Sequence, residues 1–254
     1  MARIGDMENR HNKILELLSK ESVASVAYLS ATLGVTKETI RKDLAYLYDV
    51  GKISRIHGGA ALADTMPFRV RKGIAEDEKR HIAACACEQI CRKDSIIIES
   101  STTNILLGDE LLRQEDKLKT LTIITNSLRL ALLLEFGRLC GKLFLLGGYA
   151  DADEENCHGA QTVEALRQFH VDKAFLSAAA VDARMHMTAY KEHDMLFQRQ
   201  AIACAADTYV LVNKKKIPST ALYHVCNLSE VTGVITDADL NADKENANIP
   251  LIRV

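Results

Sequence analysis

Four side chains at helical spacing carry chemistry able to act outside the fold: Lys37, Thr39, Arg41 and Lys42, within Val35 to Leu47. Ammonium and guanidinium groups contact phosphates, and Arg and Thr also reach base edges, so such a row suits double-stranded DNA. A second candidate is the polar run Glu99-Ser100-Ser101-Thr102-Thr103-Asn104, which follows an apolar strand pattern and leads into a helix pattern. Hydroxyls and free amides at a helix start can hold a phosphate. Asn126, in Thr125-Asn126-Ser127, and Gly148, in Gly147-Gly148, mark two further strand ends. A hydroxyl-rich helix cap alone is more often structural; the joint placement at strand ends is what points to a ligand. A third candidate joins His81, Cys85, Cys87 and Cys91. His81/Cys85 and Cys87/Cys91 are i,i+4 pairs that point in different directions, and small thiols fill helix interfaces, so no metal is expected.

The elements that must position these groups can be read from periodicity. Ile40, Leu44 and Leu47 recur on one helical face, which leaves the basic residues on the other. Thr36 stands where its hydroxyl can cap the first turn, and Glu38 lies near the positive end of the helix dipole. Upstream, Glu8 to Ser19 and Val26 to Leu33 read as helices, with Gly34 suited to the left-handed turn that follows. Helix, turn, recognition helix is the helix-turn-helix order. Downstream, Lys52 to His57 alternates apolar and polar residues before Gly58-Gly59, as a wing strand would, with Arg55 and His57 on one face. A lone basic amphipathic helix is usually a solvated surface helix; three helices and a basic strand in this order favour DNA binding.

Ala63 to Gly73 has no periodic pattern, contains Pro67 and reads as a linker. The expected organisation is a winged helix-turn-helix over 1–62, a linker over 63–74 and an α/β domain over 75–254. In the last, a helix over Glu76 to Arg92 precedes strands at Ser95 to Ile98, Leu121 to Thr125, Lys142 to Leu146, Lys173 to Leu176, Thr208 to Val212 and Val231 to Thr236. Helices at Ile105 to Leu112, Ser127 to Phe136, Val163 to Phe169 and Tyr190 to Ala206 alternate with them. That alternation predicts a Rossmann-like parallel sheet covered on both faces.

A formal charge of −2 argues against a nonspecific basic coat for nucleic acid. Residues 1–62 nevertheless hold nine Lys and Arg against seven Asp and Glu, so the small positive excess lies in the part that would meet DNA. Seven cysteines, an odd number without a framework, read as reduced thiols. No apolar run approaches the ~20 residues of a membrane helix, and the N-terminus does not resemble a secretory signal. A soluble, cytoplasmic protein without a membrane partner is expected.

At Val35-Thr36-Lys37-Glu38-Thr39-Ile40-Arg41-Lys42-Asp43-Leu44, Gly51-Lys52-Ile53 and His57-Gly58-Gly59-Ala60, the sequence resembles the DeoR family of bacterial sugar-metabolism regulators. The resemblance implies that Thr36, Lys37, Thr39, Arg41 and Lys42 contact DNA; the alternation of Lys52 to His57 adds Arg55 and His57 as wing contacts. It extends over nearly the whole chain and implies a sensor domain similar to ribose-5-phosphate isomerase that binds a phosphorylated sugar. The family's Asp-x-Gly-(Ser/Thr)-Thr phosphate loop reads here Glu99-Ser100-Ser101-Thr102-Thr103, with Ser101 in place of glycine. Its Phe-x-Gly-x-Asp-Gly-(Ile/Val)-Asp stretch reads Phe175-Leu176-Ser177-Ala178-Ala179-Ala180-Val181-Asp182, which lacks both glycines and the first carboxylate and keeps Asp182. His186 replaces a glycine, Glu192 is retained, and Asp-Ser-Ser-Lys becomes Asn213-Lys214-Lys215-Lys216. Strand-end placement and the resemblance together give the expected effector residues: Glu99, Ser101, Thr102, Thr103, Asn104, Asn126, Gly148, Asp182, Glu192 and Lys216.

The expectation is a transcriptional regulator, a repressor of a carbohydrate operon, that binds operator DNA as a dimer or tetramer and responds to a sugar phosphate without a cofactor. Two alternatives stay open. An isomerase-like enzyme would need a positioned base and an enediolate stabiliser, yet Ala179 replaces one of the two aspartates that similar isomerases use. A regulator whose C-terminal domain only assembles subunits is the other.

Overall fold

The computed structural model describes residues 4–21, 23–49, 52–56, 58–62, 68–73, 75–240 and 249–254. The chain divides into two compact units, Met1–Pro67 and Phe68–Val254.

In the first unit, α1 (Ile4–Glu21), β1 (Val23–Ser25), α2 (Val26–Leu33), α3 (Lys37–Asp49), β2 (Ile53–Ile56) and β3 (Gly59–Leu62) follow in order. Ser25 caps α2 by accepting from the Tyr28 amide at 3.1 Å, and Gly34, at φ 66°, ends it. Ile14 and Leu18 of α1, Leu29 of α2, and Ile40, Leu44 and Leu47 of α3 bury against one another. Each such side chain contributes on the order of 1.5–3 kcal/mol, far more than any exposed ion pair on these helices. The antiparallel sheet runs β1-β3-β2, with Val23 opposite Ala61 and Ile53 opposite Leu62. Sequence patterning reads 20–25 as a plain break; β1 forms there because β3 supplies a partner from far along the chain.

The second unit begins with α4 (Phe68–Lys72), within the stretch read as linker. Phe68 is buried in this unit's core, which holds the segment down. Then come α5 (Glu76–Glu88), β4 (Ser95–Ile98), α6 (Thr102–Leu112), α7 (Glu115–Leu118), β5 (Thr122–Thr125), α8 (Leu128–Leu133) and β6 (Lys142–Leu145). A hairpin of β7 (Tyr149–Asp151) and β8 (Asn156–His158) leads to α9 (Ala160–Leu166), β9 (Val171–Ser177), β10 (Ala180–Val181), β11 (His186–Ala189) and α10 (Glu192–Cys204). The described chain closes with β12 (Ala205–Leu211), β13 (Tyr223–Asn227), β14 (Gly233–Thr236) and β15 (Leu251–Arg253).

Seven strands form one sheet in the order β15-β14-β12-β9-β4-β5-β6, every pair parallel. Successive side chains of a strand point to opposite faces. On β4 this sends Ile96 and Ile98 to the core under α5 and α6, and Ile97 to the core under α9 and α10. An unbroken apolar run such as Ser-Ile-Ile-Ile is therefore the signature of a sheet buried on both sides. β10, β11 and β13 make a small antiparallel sheet beyond it. No helix among the described residues is long and apolar enough to cross a membrane.

The close approach of β1 and β3 yields a prediction. A Cβ on Gly59 would fall 2.3 Å from the Ala24 carbonyl oxygen, a backbone atom that cannot rotate away. Gly59→Ala should destabilise the first unit by roughly 1–3 kcal/mol, as overpacking does, read from its denaturant midpoint; an unshifted midpoint would mean the two strands do not pack this closely.

Candidate functional site

α3 separates its chemistry by face. Ile40, Asp43, Leu44 and Leu47 are buried, while Thr36, Lys37, Arg41 and Lys42 are exposed and Thr39 is half-buried. The Thr36 hydroxyl accepts from the Thr39 amide at 3.1 Å and lies 2.9 Å from the Thr39 hydroxyl, so the expected cap is formed and joins two of the expected contact residues. Arg41 pairs with Glu38 at 3.3 Å, both well exposed, a contact worth too little to hold the guanidinium back from another anion. Arg55 lies in β2, and His57 lies outside the described residues.

The acid of that helix face has a different task. Asp43 is buried and accepts from Arg10 Nε at 2.6 Å and Arg10 Nη2 at 2.8 Å, with His11 Nε2 3.1 Å from its Oδ1. His11 also stacks on Tyr46, ring centroids 4.8 Å apart. A bidentate pair of this kind fixes direction as well as distance, so α1 sets the orientation of α3. Asp43 falls three residues after Ile40 and four before Leu47, on the apolar face, and that spacing is the signal that would have revealed it.

In the second unit, Glu99 directly follows β4 and is buried. Its carboxylate accepts from the Ser177 amide at 2.8 Å and from Gln198 Nε2 at 2.7 Å, tying β4 to β9 and α10. Burial pushes its pKa from 4.5 up to about 8, against those two hydrogen bonds, with Asp194 adding to the rise. Ser101 caps α6 by accepting from the Asn104 amide at 3.0 Å. Asn104 Nδ2 donates to the carbonyls of Glu99 and Phe175, and Thr102 and Thr103 are buried in the first turn of α6. Asn126 closes the same strand ends by accepting from the Ser100 amide and donating to the Cys157 carbonyl. Gly148, at φ 150°, allows a close approach: a Cβ there would lie 2.2 Å from Thr162 Oγ1.

Lys216 joins this group. Its ammonium donates to the Ala178 carbonyl at 2.6 Å, and burial lowers its pKa to about 8, Arg71 adding to the fall and Glu99 opposing it. Asp182 is committed elsewhere: its carboxylate accepts from the Arg184 and His186 amides and sits 3.1 Å from His186 Nδ1, closing the β10–β11 turn. Glu192 is exposed at the start of α10.

Periodicity gives no hint of several polar groups in this unit. Lys79 is buried in α5 although its neighbours Glu76-Asp77-Glu78 and Arg80-His81 look like a solvated stretch. Glu154 binds both Arg71 of α4 and, at 2.9 Å, Lys191. His158 and His193 stack with centroids 3.8 Å apart, and burial, then His158, lowers the His193 pKa to about 4. Among the described residues no group of three or more His, Cys, Asp or Glu is arranged to hold a metal.

Comparison with known proteins places both units. Residues 10–66 match the DeoR-like helix-turn-helix domain and residues 74–238 the DeoR C terminal sensor domain. The glycerol-3-phosphate regulon repressor of Haemophilus influenzae is 31% identical over 93% of this chain and 93% of its own. That of Escherichia coli K12 is 29% identical over 90% of each, and the repressor GlcR of Bacillus subtilis is 28% identical over 91% of this chain and 88% of its own. Among solved structures, ribose 5-phosphate isomerase A of Methanocaldococcus jannaschii aligns with 56% of this chain and 54% of its own, at 19% identity and a TM-score of 0.40.

Two predictions follow from the buried acids. Asp43→Ala removes the buried acid that Arg10 and His11 share and should cost roughly 3 kcal/mol of stability in the first unit by denaturant unfolding; a change near zero would mean the pair is not formed. For Glu99, the folded state keeps a proton that the unfolded state releases above about pH 4.5. Its contribution is therefore full below that pH and lost as pH rises through about 8. Glu99→Gln should show a shallower fall in Tm over that window than the parent; superimposable curves would contradict the buried acid.

Proposed function

Since the chain belongs to the DeoR family, we propose that it is a transcriptional repressor that grips operator DNA through α3 and releases it when a phosphorylated sugar binds at the strand ends of the second unit. The observation that carries this reading is the pairing, on one chain, of a helix with exposed Lys37, Arg41 and Lys42 and an α/β unit whose polar groups gather at Glu99–Asn104 and Lys216. On α3, Arg41 suits a guanine edge, and Lys37 and Lys42 suit phosphates. Thr36 and Thr39 lie at the helix start, where amides and hydroxyls meet the backbone of DNA; Arg55, in β2, is assigned to the wing contact, as is His57 from the sequence pattern alone.

For the effector, Ser101, Thr102, Thr103 and Asn104 surround the first turn of α6, Asn126 and Gly148 mark the neighbouring strand ends, and Lys216 supplies positive charge. Asp182 is held by its own turn and Glu192 is exposed at the start of α10, so neither is given a direct contact. Ser101 gives its hydroxyl to the cap and adds a Cβ that glycine lacks, so the loop meets its ligand through side chains more than through bare backbone. For release to occur, the sugar phosphate must bind the DNA-free state more tightly than the DNA-bound one. The protein acts as a homo-oligomer, which matches paired half-sites. Exposed Phe136, Phe144 and Leu145 in and near the edge strand β6 support self-association.

Catalysis is not its role: Glu99 is bound by Ser177 and Gln198, and Asp182 by its own turn, so neither stands ready as a base. Turnover of a sugar phosphate that Asp182→Ala abolishes would restore the enzymatic reading. For the DNA half, Arg41→Ala should weaken operator binding about tenfold or more at fixed salt, with helix content unchanged by circular dichroism. Unchanged affinity would remove α3 as the recognition helix.

A further inference from the structure

The second unit begins at Phe68, directly after the residues that join it to the first. Its opening helix, α4, is five residues long. A helix of that length does not persist by itself, so the groups that hold it decide whether residues 68–73 belong to the fold or to the connecting chain. Phe68 supplies the apolar hold, with its ring in the core. Polar holds come from the turn of the β7–β8 hairpin: the Asp153 carbonyl accepts from the Phe68 amide at 2.9 Å, and the Glu154 carboxylate pairs with Arg71. The Lys79 ammonium of α5 secures the other end of α4 by donating to the Arg71 carbonyl at 2.7 Å.

Glu154 has a second partner. Its Oε1 accepts from Lys191 Nζ at 2.9 Å, and Lys191 is the residue before α10. The carboxylate is 14% exposed, so both contacts are made partly out of water, where charged hydrogen bonds are strong and directional. The turn that carries it is fixed from its other side. Asp151 Oδ1 accepts from the Asp153 and Glu154 amides at 2.9 and 3.0 Å, the Glu155 carbonyl accepts from the Leu128 amide, and the Asn126 carbonyl accepts from the Cys157 amide. One carboxylate on a fixed turn thus bridges the chain's entry into this unit and the start of α10, the helix whose Gln198 touches Glu99. It can serve both cations only while those two elements keep their present separation.

We propose that Glu154 is the positioning residue through which the ligand state of the second unit reaches the DNA-binding unit. The proposal rests on the sensor reading above and gives it a coupling route. A ligand that draws the first turn of α10 toward the strand ends takes Lys191, and the shared carboxylate with it, away from Arg71, and α4 comes free. The connection from β3, which ends at Leu62, to the second unit then more than doubles in length by gaining residues 68–73. That adds about 20 Å of reach when extended. Two DNA-binding units of one oligomer meet paired half-sites at an effective concentration that falls roughly as the −3/2 power of tether length. A longer tether therefore loosens the grip on the operator without altering α3.

The test uses the full-length protein, first without added ligand. Glu154→Gln keeps the size of the side chain and removes its charge. Trypsin should cut the variant after Arg71 and Lys72 about tenfold faster than the parent, because cleavage follows the population of the released segment and a charged hydrogen bond has gone. Affinity for an operator fragment with two half-sites, read by anisotropy at fixed salt, should fall about threefold or more. Affinity for a fragment with a single half-site should match the parent's, a split that a merely structural role would not produce. Arg71→Gln should give the same pattern, with cleavage read after Lys72, and decides the matter if Glu154→Gln fails to fold. Unchanged cleavage, faster cleavage with unchanged two-site affinity, or an equal loss on both fragments overturns the proposal. A panel of sugar phosphates then separates it from the sensor reading. Release of DNA from the parent by one of them, with no change in cleavage after Arg71 and Lys72, overturns the coupling and leaves the sensor reading intact. The half-site split in Glu154→Gln, with no sugar phosphate releasing DNA from the parent, upholds Glu154 as the residue that sets the tether and removes the sensor reading.

Discussion

A parallel sheet buried on both faces leaves polar chemistry few places to gather, and in this protein one of them is the carboxyl ends of its strands. Glu99 shows what that constraint entails. Its side chain is enclosed where three elements meet, and it is tolerated there because a backbone amide and Gln198 satisfy it and because it holds its proton. Lys216 faces the same region, where burial lowers its pKa to about 8 and Glu99 opposes that fall.

The first unit solves a different problem with a related device. A helix that must offer cations to DNA cannot also anchor itself through them. α3 therefore places Ile40, Leu44 and Leu47 in the core and adds one buried acid, Asp43, gripped from α1 by Arg10. Hydrophobic packing holds the helix in place; the bidentate pair sets its rotation about its own axis, and with it the direction in which Lys37, Arg41 and Lys42 point.

Much of this was legible from local pattern. The bounds of α2 and β4 are those that periodicity gives, and the run of apolar strands separated by helices was sufficient to infer a parallel sheet. Other elements were hidden because their cause is remote. β1 is three residues long and exists through its pairing with β3. α4 follows Pro67 and is held by the burial of Phe68, not by any repeat of its own. The hairpin β7–β8 and the small sheet of β10, β11 and β13 use strands of two to five residues, too short to display alternation. At the site, the hydroxyl loop announced itself by composition, but Lys79 could not: a lysine among acids and other bases reads as solvated, and its burial is decided by what α5 packs against. Asp182 illustrates the converse, a residue prominent by position whose carboxylate the fold spends on its own turn.

The central claim is that phosphorylated ligand and operator DNA compete through one chain. The most direct measurement is the anisotropy of a labelled operator fragment bound to the full-length protein, titrated in parallel with a sugar phosphate and with the same sugar lacking its phosphate, at fixed salt. The account predicts that at least one phosphorylated compound releases the DNA while its dephosphorylated counterpart leaves the complex intact. Release by both to the same extent, or by neither across a panel of sugar phosphates, would contradict it.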